Sequence, residues 1–426
     1  MAAISYTRLK RELEAAIPRE RLIDDPLRLL LYGTDASFYR LVPKVVVVAD
    51  NEAEVRAVLA ACRRHGAPVT FRAAGTSLSG QAVSDSVLLM LGEGWDACEV
   101  GPGAETIRLG PGVIGGAANR RLAPHGRKIG PDPASLDAAM IGGIAANNAS
   151  GMCCGTAQNS YRTLHGARIV FADGAVLDTA DPESRAAFVE SHSDFIGKLE
   201  QLAERVRGDE RLTERIHRKY KMKNTTGYSL NALVDFRDPV DILAHLMIGS
   251  EGTLGFLSEI TYRTVPEHPH KATALILFND LETACRAVTA LKSTPVTAVE
   301  LADRAALTSV QSQPGIPASL AGLGPDGAGL LVETAAASAD EVAANLEPIE
   351  AALAGLPTFE PGAFTTDPAE AARLWKVRKG MFPSVGAMRE TGTTVIIEDV
   401  TFPVERLAEA TLDLQELLRG HGYHEA

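Results

Sequence analysis

The chain of 426 residues has 42 Lys and Arg against 54 Asp and Glu, a formal net charge of -12, and 46% hydrophobic residues. This negative charge repels a polyphosphate backbone and argues against nucleic acid as a partner. No apolar run reaches the ~20 residues that span a bilayer, and the N-terminus lacks the apolar core of a signal peptide. We expect a cytoplasmic protein with two domains or with one large domain that carries a substantial insertion, and we leave open a peripheral association at the inner face of a membrane.

The first clear pattern in the chain is a predicted β-α-β unit. Residues 44–49 form an apolar, β-branched run, typical of a strand buried on both faces. A helix follows from residue 52 to about residue 65 and ends at Gly66. Residues 68–71 predict the second strand, which carries the chain directly into the segment 72–80.

Segment 72–80 reads Arg-Ala-Ala-Gly-Thr-Ser-Leu-Ser-Gly. Small residues after a strand allow several backbone N–H groups to converge on a pyrophosphate, with the hydroxyl groups as additional donors. The same composition also suits an ordinary tight loop. The segment alone therefore leaves both interpretations open.

Residues 110–115, Gly-Pro-Gly-Val-Ile-Gly, match the G-x-G-x-x-G fingerprint of nicotinamide dinucleotide sites. Pro111 has no N–H to offer, the unit is not the first β-α-β unit of its domain, and no ribose-binding acid ends a following strand. We interpret the segment as a turn between a strand at 106–109 and a helix.

The five cysteines lack the spacing of zinc or iron–sulfur ligands. Cys153 and Cys154 are adjacent in a segment rich in Gly and Ala, and a redox role is one interpretation of this pair. Because free cysteine commonly acts as a small buried hydrophobic residue, we favour a packing role. We predict no metal site within this chain.

The character of the sequence changes near residue 268. Alternating apolar runs at 273–278 and 329–333, with a helical pattern at 282–291, predict a second α+β domain with an antiparallel sheet.

Four segments, taken in order, resemble the signature segments of the FAD-linked oxidase family, which includes D-lactate, glycolate and D-2-hydroxyglutarate dehydrogenases. The segments are 71–80, 128–136, 141–151 and 249–255. The similarity covers nearly the whole chain. Each segment is a modest signal, and their combination in the family order is specific.

This resemblance implies an α+β fold: a two-subdomain FAD-binding domain of the vanillyl-alcohol-oxidase (VAO/PCMH) type, followed by an α+β substrate cap domain. We expect a helical segment at 1–43, the FAD-binding domain at 44–268 and the cap domain at 269–426, incomplete at its C-terminal end. The residues that the resemblance places around FAD are Arg72, Ala74, Gly75, Thr76, Ser77, Leu78 and Gly80 at the pyrophosphate, Pro131, Asp132, Ser135, Gly142, Gly143, Ala146 and Asn147 along the flavin and its ribityl chain, and Glu251, Gly252 and Ile260 toward the adenine. Because residues 72–75 contain no nucleophile, we expect FAD to be bound noncovalently.

The resemblance also assigns roles in substrate binding. Residue type alone favours a solvated helix face for Arg378, whereas the resemblance makes it the arginine that clamps the substrate carboxylate. Asn224 and Tyr228 lie in a segment that matches a family loop near the flavin edge, or else form a basic surface turn. Residues 397–399, Ile-Glu-Asp, replace a Lys-Tyr-Asp segment that helps to hold a distal carboxylate, which puts a 2-hydroxyglutarate-like contact in doubt.

The expected function is a FAD-dependent dehydrogenase that oxidises a small D-2-hydroxy acid, such as D-lactate or D-2-hydroxyglutarate, by hydride transfer to flavin N5. Electrons would leave to an iron–sulfur domain, a quinone or another carrier. The alternatives are an NADPH-dependent flavin reductase of the cell-wall nucleotide type and a flavin-binding fragment without activity of its own. The sequence leaves open whether two copies form a homodimer.

The family's His-x-x-x-x-Gly-Asn-x-His segment, which supplies metal ligands, is absent from this sequence. We therefore expect the chain to be the N-terminal portion of a longer protein, with the ligands of any divalent metal or iron–sulfur centre elsewhere. Residues 379–386 and 393–400 most resemble bacterial fusion proteins in which such a unit precedes an iron–sulfur domain.

Overall fold

The computed structural model describes residues 4–151, 153–313, 316–394 and 400–423. The chain divides into two compact units, Met1–Glu267 and His268–Ala426. Both units combine helices with sheets around their own hydrophobic cores, which confirms the predicted α+β class.

The N-terminal part of the first unit folds around a mainly parallel sheet. Its elements are α1 (Tyr6–Leu13), β1 (Leu22–Ile23), α2 (Pro26–Leu31), β2 (Val45–Ala49), α3 (Glu52–His65), β3 (Val69–Arg72) and β4 (Val87–Leu91). The strand order is β1-β2-β4-β3, with β1 antiparallel to β2. The predicted β-α-β unit is confirmed, and the segment 1–43 contributes a strand as well as helices.

Local signals fix the ends of α3. The side chain of Asn51 accepts a hydrogen bond from the N–H of Glu54 at 3.0 Å, which satisfies one of the free donors of the first turn. Gly66 ends the helix with φ +65, a left-handed conformation that favours glycine. These caps determine where β3 begins, and hence where segment 72–80 leaves the sheet.

The remainder of the first unit surrounds an antiparallel sheet. Its elements are β5 (Cys98–Val100), β6 (Thr106–Leu109), α4 (Gly115–Leu122), β7 (Arg127–Ile129), α5 (Ile141–Asn147), α6 (Ser160–Thr163), β8 (Leu164–Val170), β9 (Val176–Asp178), α7 (Pro182–Ser191), α8 (Ser193–Gly208), α9 (Glu210–Lys219), α10 (Ala232–Asp235), α11 (Pro239–Met247) and β10 (Phe256–Pro266). The strand order is β5-β6-β10-β8-β9, and β7 also pairs with β10.

Segment 110–115 joins β6 to α4, which confirms its interpretation as a strand-to-helix turn. Because β6 pairs antiparallel with both β5 and β10, it does not belong to the parallel β-α-β unit that a nicotinamide fingerprint requires.

An aromatic cluster links the two sheets of the first unit. The ring of Phe256 lies 5.2 Å from Trp95 and 5.3 Å from Phe71, between ring centroids. Trp95 donates its indole N–H to the carbonyl of Ala49 at 2.7 Å, so this buried polar group is satisfied. The cluster places the end of β3 beside the start of β10.

The second unit is built on the predicted antiparallel sheet. Its elements are β11 (His270–Phe278), α12 (Leu281–Leu291), β12 (Ala298–Ala302), α13 (Arg304–Val310), β13 (Ala328–Ala336), α14 (Ala339–Leu353), α15 (Pro368–Met388) and α16 (Leu407–Gly420). The strand order is β11-β13-β12. Leu330 and Val332 pack toward α12 on one face of the sheet, and strand alternation places Leu331 and Glu333 on the opposite face.

Across the part of the chain that the structure describes, none of the helices combines the length and the apolar character that crossing a membrane would require.

Candidate functional site

The segment after β3 offers a row of free backbone donors. Among the described residues, no group accepts a hydrogen bond from the backbone N–H of Ala74, Gly75, Thr76, Ser77 or Leu78. Gly75 and Gly80 have positive φ angles of +69 and +78, which turn the chain at both ends of this row. Unpaired N–H groups are costly unless water or a ligand accepts from them, so the segment suits an anionic group.

Contacts from the N-terminal segment hold this row in place. The N–H of Ala36 donates to the carbonyl of Gly75 at 3.0 Å. The ring of Tyr39 lies so close to Gly80 that a Cβ there would be 2.7 Å from Tyr39 Cδ2. Neither Ala36 nor Tyr39 was singled out from the sequence, because residues about 40 positions away carry no local sign of the contact.

Arg72, predicted to bind the cofactor, is only 6% exposed. Its Nε donates to the carbonyl of Ala82 at 2.7 Å, so the guanidinium closes the base of segment 72–82. Burial lowers the pKa of Arg72, and the nearby Asp35 carboxylate opposes this shift. The structure thus gives the side chain of Arg72 a supporting contact with the protein.

Asp132 ties the second predicted segment to the loop after α5. Its carboxylate accepts hydrogen bonds from the backbone N–H groups of Gly151 (3.0 Å), Cys153 (2.9 Å) and Cys154 (3.2 Å). Burial raises the pKa of the Cys154 thiol to about 11, so it stays protonated near neutral pH, in agreement with a packing role for Cys154.

The other predicted residues of that segment have backbone or packing roles. Pro131 is buried, and the carbonyl of Ser135 accepts from the N–H groups of Ala138 and Ala139 at 2.8 and 2.7 Å.

Two glycines of α5 allow close packing on either side of the helix. A Cβ at Gly142 would lie 2.8 Å from Pro111 Cβ, and the N–H of Gly142 donates to the carbonyl of Pro111 at 2.9 Å. A Cβ at Gly143 would lie 3.7 Å from Ala73 Cβ. Helix α5 therefore lies between the 110–115 turn and the row of free donors.

Glu251 connects three of the predicted segments. Its Oε1 accepts from Asn147 Nδ2 at 2.6 Å and from Gln81 Nε2 at 3.5 Å. Its N–H donates to the carbonyl of Ala146 at 2.9 Å, and its backbone has a positive φ of +52. Gln81, in turn, accepts a hydrogen bond from the hydroxyl of Ser77. Gln81 was missed by the sequence reasoning, although it directly follows the predicted segment.

Burial raises the pKa of the Glu251 carboxyl, and the hydrogen bonds from Asn147 and Gln81 oppose the shift. This carboxyl group is therefore less readily ionised than an exposed glutamate.

The remaining predicted residues of the fourth segment differ in their surroundings. Gly252, with φ +72, packs against Phe71, and a Cβ there would lie 3.0 Å from Phe71 Cδ2. Ile260 is 0% exposed and is part of the core between β6 and β8. The place of Ile260 toward the adenine stays a prediction.

Asn224 and Tyr228 lie beside the fourth segment. The hydroxyl groups of Tyr228 and Thr253 are 2.8 Å apart. Asn148, at the end of α5, donates to the carbonyl of Asn224 at 3.5 Å. The buried Nδ2 of Asn224 and the buried hydroxyl of Ser250 have no partner among the described residues. Unpaired buried polar atoms at this edge fit a site that a polar ligand completes.

In the second unit, Arg378 projects from α15 toward β12. Its Nε and Nη2 donate to Oε2 of Glu300 at 2.8 and 2.5 Å. Trp375, one turn earlier on α15, donates its indole N–H to Glu333 Oε2 at 2.5 Å. Glu300 was not predicted, since its partner is 78 positions away. Residues 397–399 lie outside the described residues.

The described residues contain no group of three or more His, Cys, Asp and Glu side chains arranged to hold a metal ion.

Free amides, tight glycine packing and unpaired polar atoms at the edges of α5 define a site suited to an elongated anionic cofactor. The folds of solved proteins agree: the chain matches an alkyldihydroxyacetonephosphate synthase with a TM-score of 0.68 at 15% identity, over 98% of this chain and 76% of that one. It matches p-cresol methylhydroxylase with a TM-score of 0.61 at 14% identity, over 88% and 69%. The fold is therefore the VAO/PCMH-type flavin-binding fold with a C-terminal domain.

Residues 43–180 match the FAD binding domain family, and residues 267–425 match the C-terminal domain of FAD linked oxidases. The chain belongs to the FAD-linked oxidase family and contains its FAD binding domain. The resemblance stated from the four segments is confirmed.

Curated relatives are similar at low identity. The glycolate oxidase subunit GlcD of Escherichia coli K12 is 26% identical over 90% of this chain and 66% of its own length, so the chain spans slightly less than two thirds of that relative. D-2-hydroxyglutarate dehydrogenase of the same strain is 29% identical over 54% of this chain and 23% of its own. D-lactate dehydrogenase of Archaeoglobus fulgidus is 27% identical over 57% and 44%.

Proposed function

We propose that the chain oxidises a small D-2-hydroxy acid to the corresponding 2-oxo acid. The observation that carries the proposal is the chemistry shared by its relatives, whose names specify glycolate, D-lactate and D-2-hydroxyglutarate. In each of these compounds, the carbon that bears the hydroxyl group is bonded to a carboxylate. Their shared substrate feature is therefore one carboxylate next to an oxidisable CH–OH group.

The first unit would hold FAD noncovalently. The free N–H groups of residues 74–78 would donate hydrogen bonds to the pyrophosphate oxygens. The hydrogen bond between Asn147 and Glu251 would hold the end of α5 against the cofactor. Asn224 would donate a hydrogen bond from its unpaired Nδ2 to the edge of the flavin. Residues 72–75, Arg-Ala-Ala-Gly, contain no nucleophile for a covalent link.

Bound FAD supplies the two-electron acceptor that takes hydride from the hydroxyl-bearing carbon. Arg378 would bind the substrate carboxylate, because a planar and permanently charged guanidinium can donate to both carboxylate oxygens. The electrons would pass on to an iron–sulfur domain, a quinone or another carrier.

Anaerobic reduction of the FAD-loaded chain tests the proposal. D-lactate, L-lactate, glycolate, malate, D-2-hydroxyglutarate and NADPH are added separately while the visible flavin absorption is followed. Bleaching by at least one D-2-hydroxy acid, and faster than by NADPH, is the expected result. Bleaching by NADPH alone would favour a flavin reductase, and a flavin that no compound bleaches would indicate a binding fragment; either result contradicts the proposal.

A further inference from the structure

The position of Arg378 in the second unit is fixed by a contact that another residue of the same helix, α15, makes with the sheet. Trp375, one turn before it on α15, donates its indole N–H to Glu333. Glu333 is only 5% exposed and also accepts from the hydroxyl of Thr273 at 2.8 Å. Because a buried carboxylate with two donors has little freedom to move, this contact sets the rotation of α15 over the sheet and aims Arg378 at β12.

Glu300 occupies one defined edge of the Arg378 guanidinium. Both Nε and Nη2 donate to the same oxygen, Oε2 of Glu300. A guanidinium has five N–H groups, and it can bind a carboxylate along the Nε–Nη2 edge or along the Nη1–Nη2 edge. Among the described residues, no group accepts a hydrogen bond from Arg378 Nη1. As far as the described residues go, the Nη1–Nη2 edge is therefore open to a second carboxylate.

The charges at this point limit what can bind. Arg378 and Glu300 are 30% and 17% exposed and together carry no net charge. One carboxylate on the free edge would give the group a single net negative charge. A further carboxylate on the same ligand would face Glu300 as well, and like charges at a partly desolvated position repel strongly.

The space beside the pair is small and apolar. A crevice of about 20 Å³ is lined by Leu275, Glu300, Ala302, Leu307, Ile316, Leu331, Leu374 and Arg378. A cavity needs ~10–15 Å³ to hold one water molecule, so this crevice accepts a group of about the size of a methyl. The only charged residues of the lining are the paired Glu300 and Arg378.

We infer that Glu300 is a positioning residue that limits the acids that Arg378 can bind. These are monocarboxylic 2-hydroxy acids whose hydroxyl-bearing carbon carries only a hydrogen atom or a small uncharged substituent. It holds the guanidinium by one edge and presents the other edge to the substrate carboxylate, while its own charge disfavours a second carboxylate. The inference rests on the proposed function and narrows it: acids of the glycolate and D-lactate type are preferred over D-2-hydroxyglutarate.

The test compares Glu300→Gln with the wild type and with Glu347→Gln, a matched change at an exposed glutamate of α14. Two readouts are used on the FAD-loaded full chain: kcat/KM for D-lactate and D-2-hydroxyglutarate, and calorimetric binding of the products pyruvate and 2-oxoglutarate. The wild type and Glu347→Gln should prefer D-lactate and pyruvate. Glu300→Gln should shift both preferences toward the dicarboxylate by about tenfold, because one negative charge is removed.

If Glu300 had a purely structural role, Glu300→Gln would lower kcat/KM equally for D-lactate and D-2-hydroxyglutarate. The preference between the two substrates would then stay unchanged, and this result would overturn the inference. The inference would also be overturned if the wild type had equal kcat/KM values for D-2-hydroxyglutarate and D-lactate. The proposed function would stand in that case. If no hydroxy acid reduces the flavin and neither 2-oxo acid binds, the proposed function and the inference both fail.

A second variant keeps the inference testable if Glu300→Gln does not fold. Ala302→Val fills part of the crevice without changing any charge. Its kcat/KM for D-lactate should fall about tenfold relative to glycolate, since the added methyl groups would occupy the space that the methyl group of D-lactate needs. An unchanged ratio of D-lactate to glycolate would show that the substituent does not lie in this crevice.

Discussion

The assignment of Gly75 to the pyrophosphate site can be tested by adding a single methyl group. Gly75 has φ +69, and a Cβ at this position would lie 3.6 Å from Arg72 Cδ, which is ordinary van der Waals contact. Gly75→Ala therefore introduces backbone strain without a steric clash. A non-glycine residue in the left-handed region costs about 1–2 kcal/mol.

The chain contains a matched control. Gly66, which ends α3, has φ +65, and a Cβ there would meet nothing within 4 Å. Gly66→Ala therefore carries similar strain at a position remote from the free amides of residues 74–78. Both variants should lower the melting temperature of the FAD-free protein by about 2–8 °C.

The two variants should differ in FAD affinity. If the backbone at residue 75 relaxes to relieve the strain, the neighbouring N–H groups no longer point toward the pyrophosphate. Returning them to that orientation when FAD binds costs the same amount, about 1–2 kcal/mol. The dissociation constant of FAD should thus rise about 5- to 30-fold in Gly75→Ala and stay unchanged in Gly66→Ala. Fluorescence titration with FAD measures both values. Equal FAD affinities in the two variants and the wild type would refute the assignment of this loop to the pyrophosphate.

Three further changes have defined outcomes. Gly142→Ala should destabilise the protein by about 1–3 kcal/mol because its Cβ would meet Pro111, whereas Gly197→Ala, in an open position of α8, should stabilise it by about 1 kcal/mol; two urea denaturation curves that shift in the same direction would contradict this. Since burial raises the pKa of Glu251 above its unfolded value of 4.5, its stabilising contribution is complete below that pH and is lost as pH rises through the folded pKa. Glu251→Gln should therefore gain melting temperature relative to the wild type at pH 7 and not at pH 4, and an equal difference at both values would count against the buried environment. Arg378→Met should raise KM for the hydroxy acid at least tenfold without changing the flavin spectrum, in contrast to Arg373→Met on the same helix; loss of FAD would mean that the arginine has another role.

Much of the fold could be predicted from the sequence because the signals are local. The β-branched run of β2, the helix start at Asn51 and its end at Gly66 depend on neighbours a few positions apart. Local sequence also predicted the strand-to-helix turn at 110–115, which the structure places between β6 and α4. The four segments of the candidate flavin site were found by the order of their motifs.

The partners of the site residues could not be predicted in the same way. Gln81 and Glu251 are 170 positions apart, and Arg378 and Glu300 are 78 apart, so no periodicity or spacing relates them. The burial of Ile260 depends likewise on remote contacts, because strands β6 and β8 pair with β10 on both sides of it.

The sequence alone determined which segments have the small residues that let backbone amides approach a dinucleotide, because residue type limits backbone conformation over short distances. Only the tertiary structure decided which side chains face those segments and which face one another. Glu251 meets Asn147, and Glu300 meets one edge of Arg378, because packing of remote helices and strands brings their ends together. Under the proposed function, the charge and size of the accepted substrate would depend on the contact between Glu300 and Arg378.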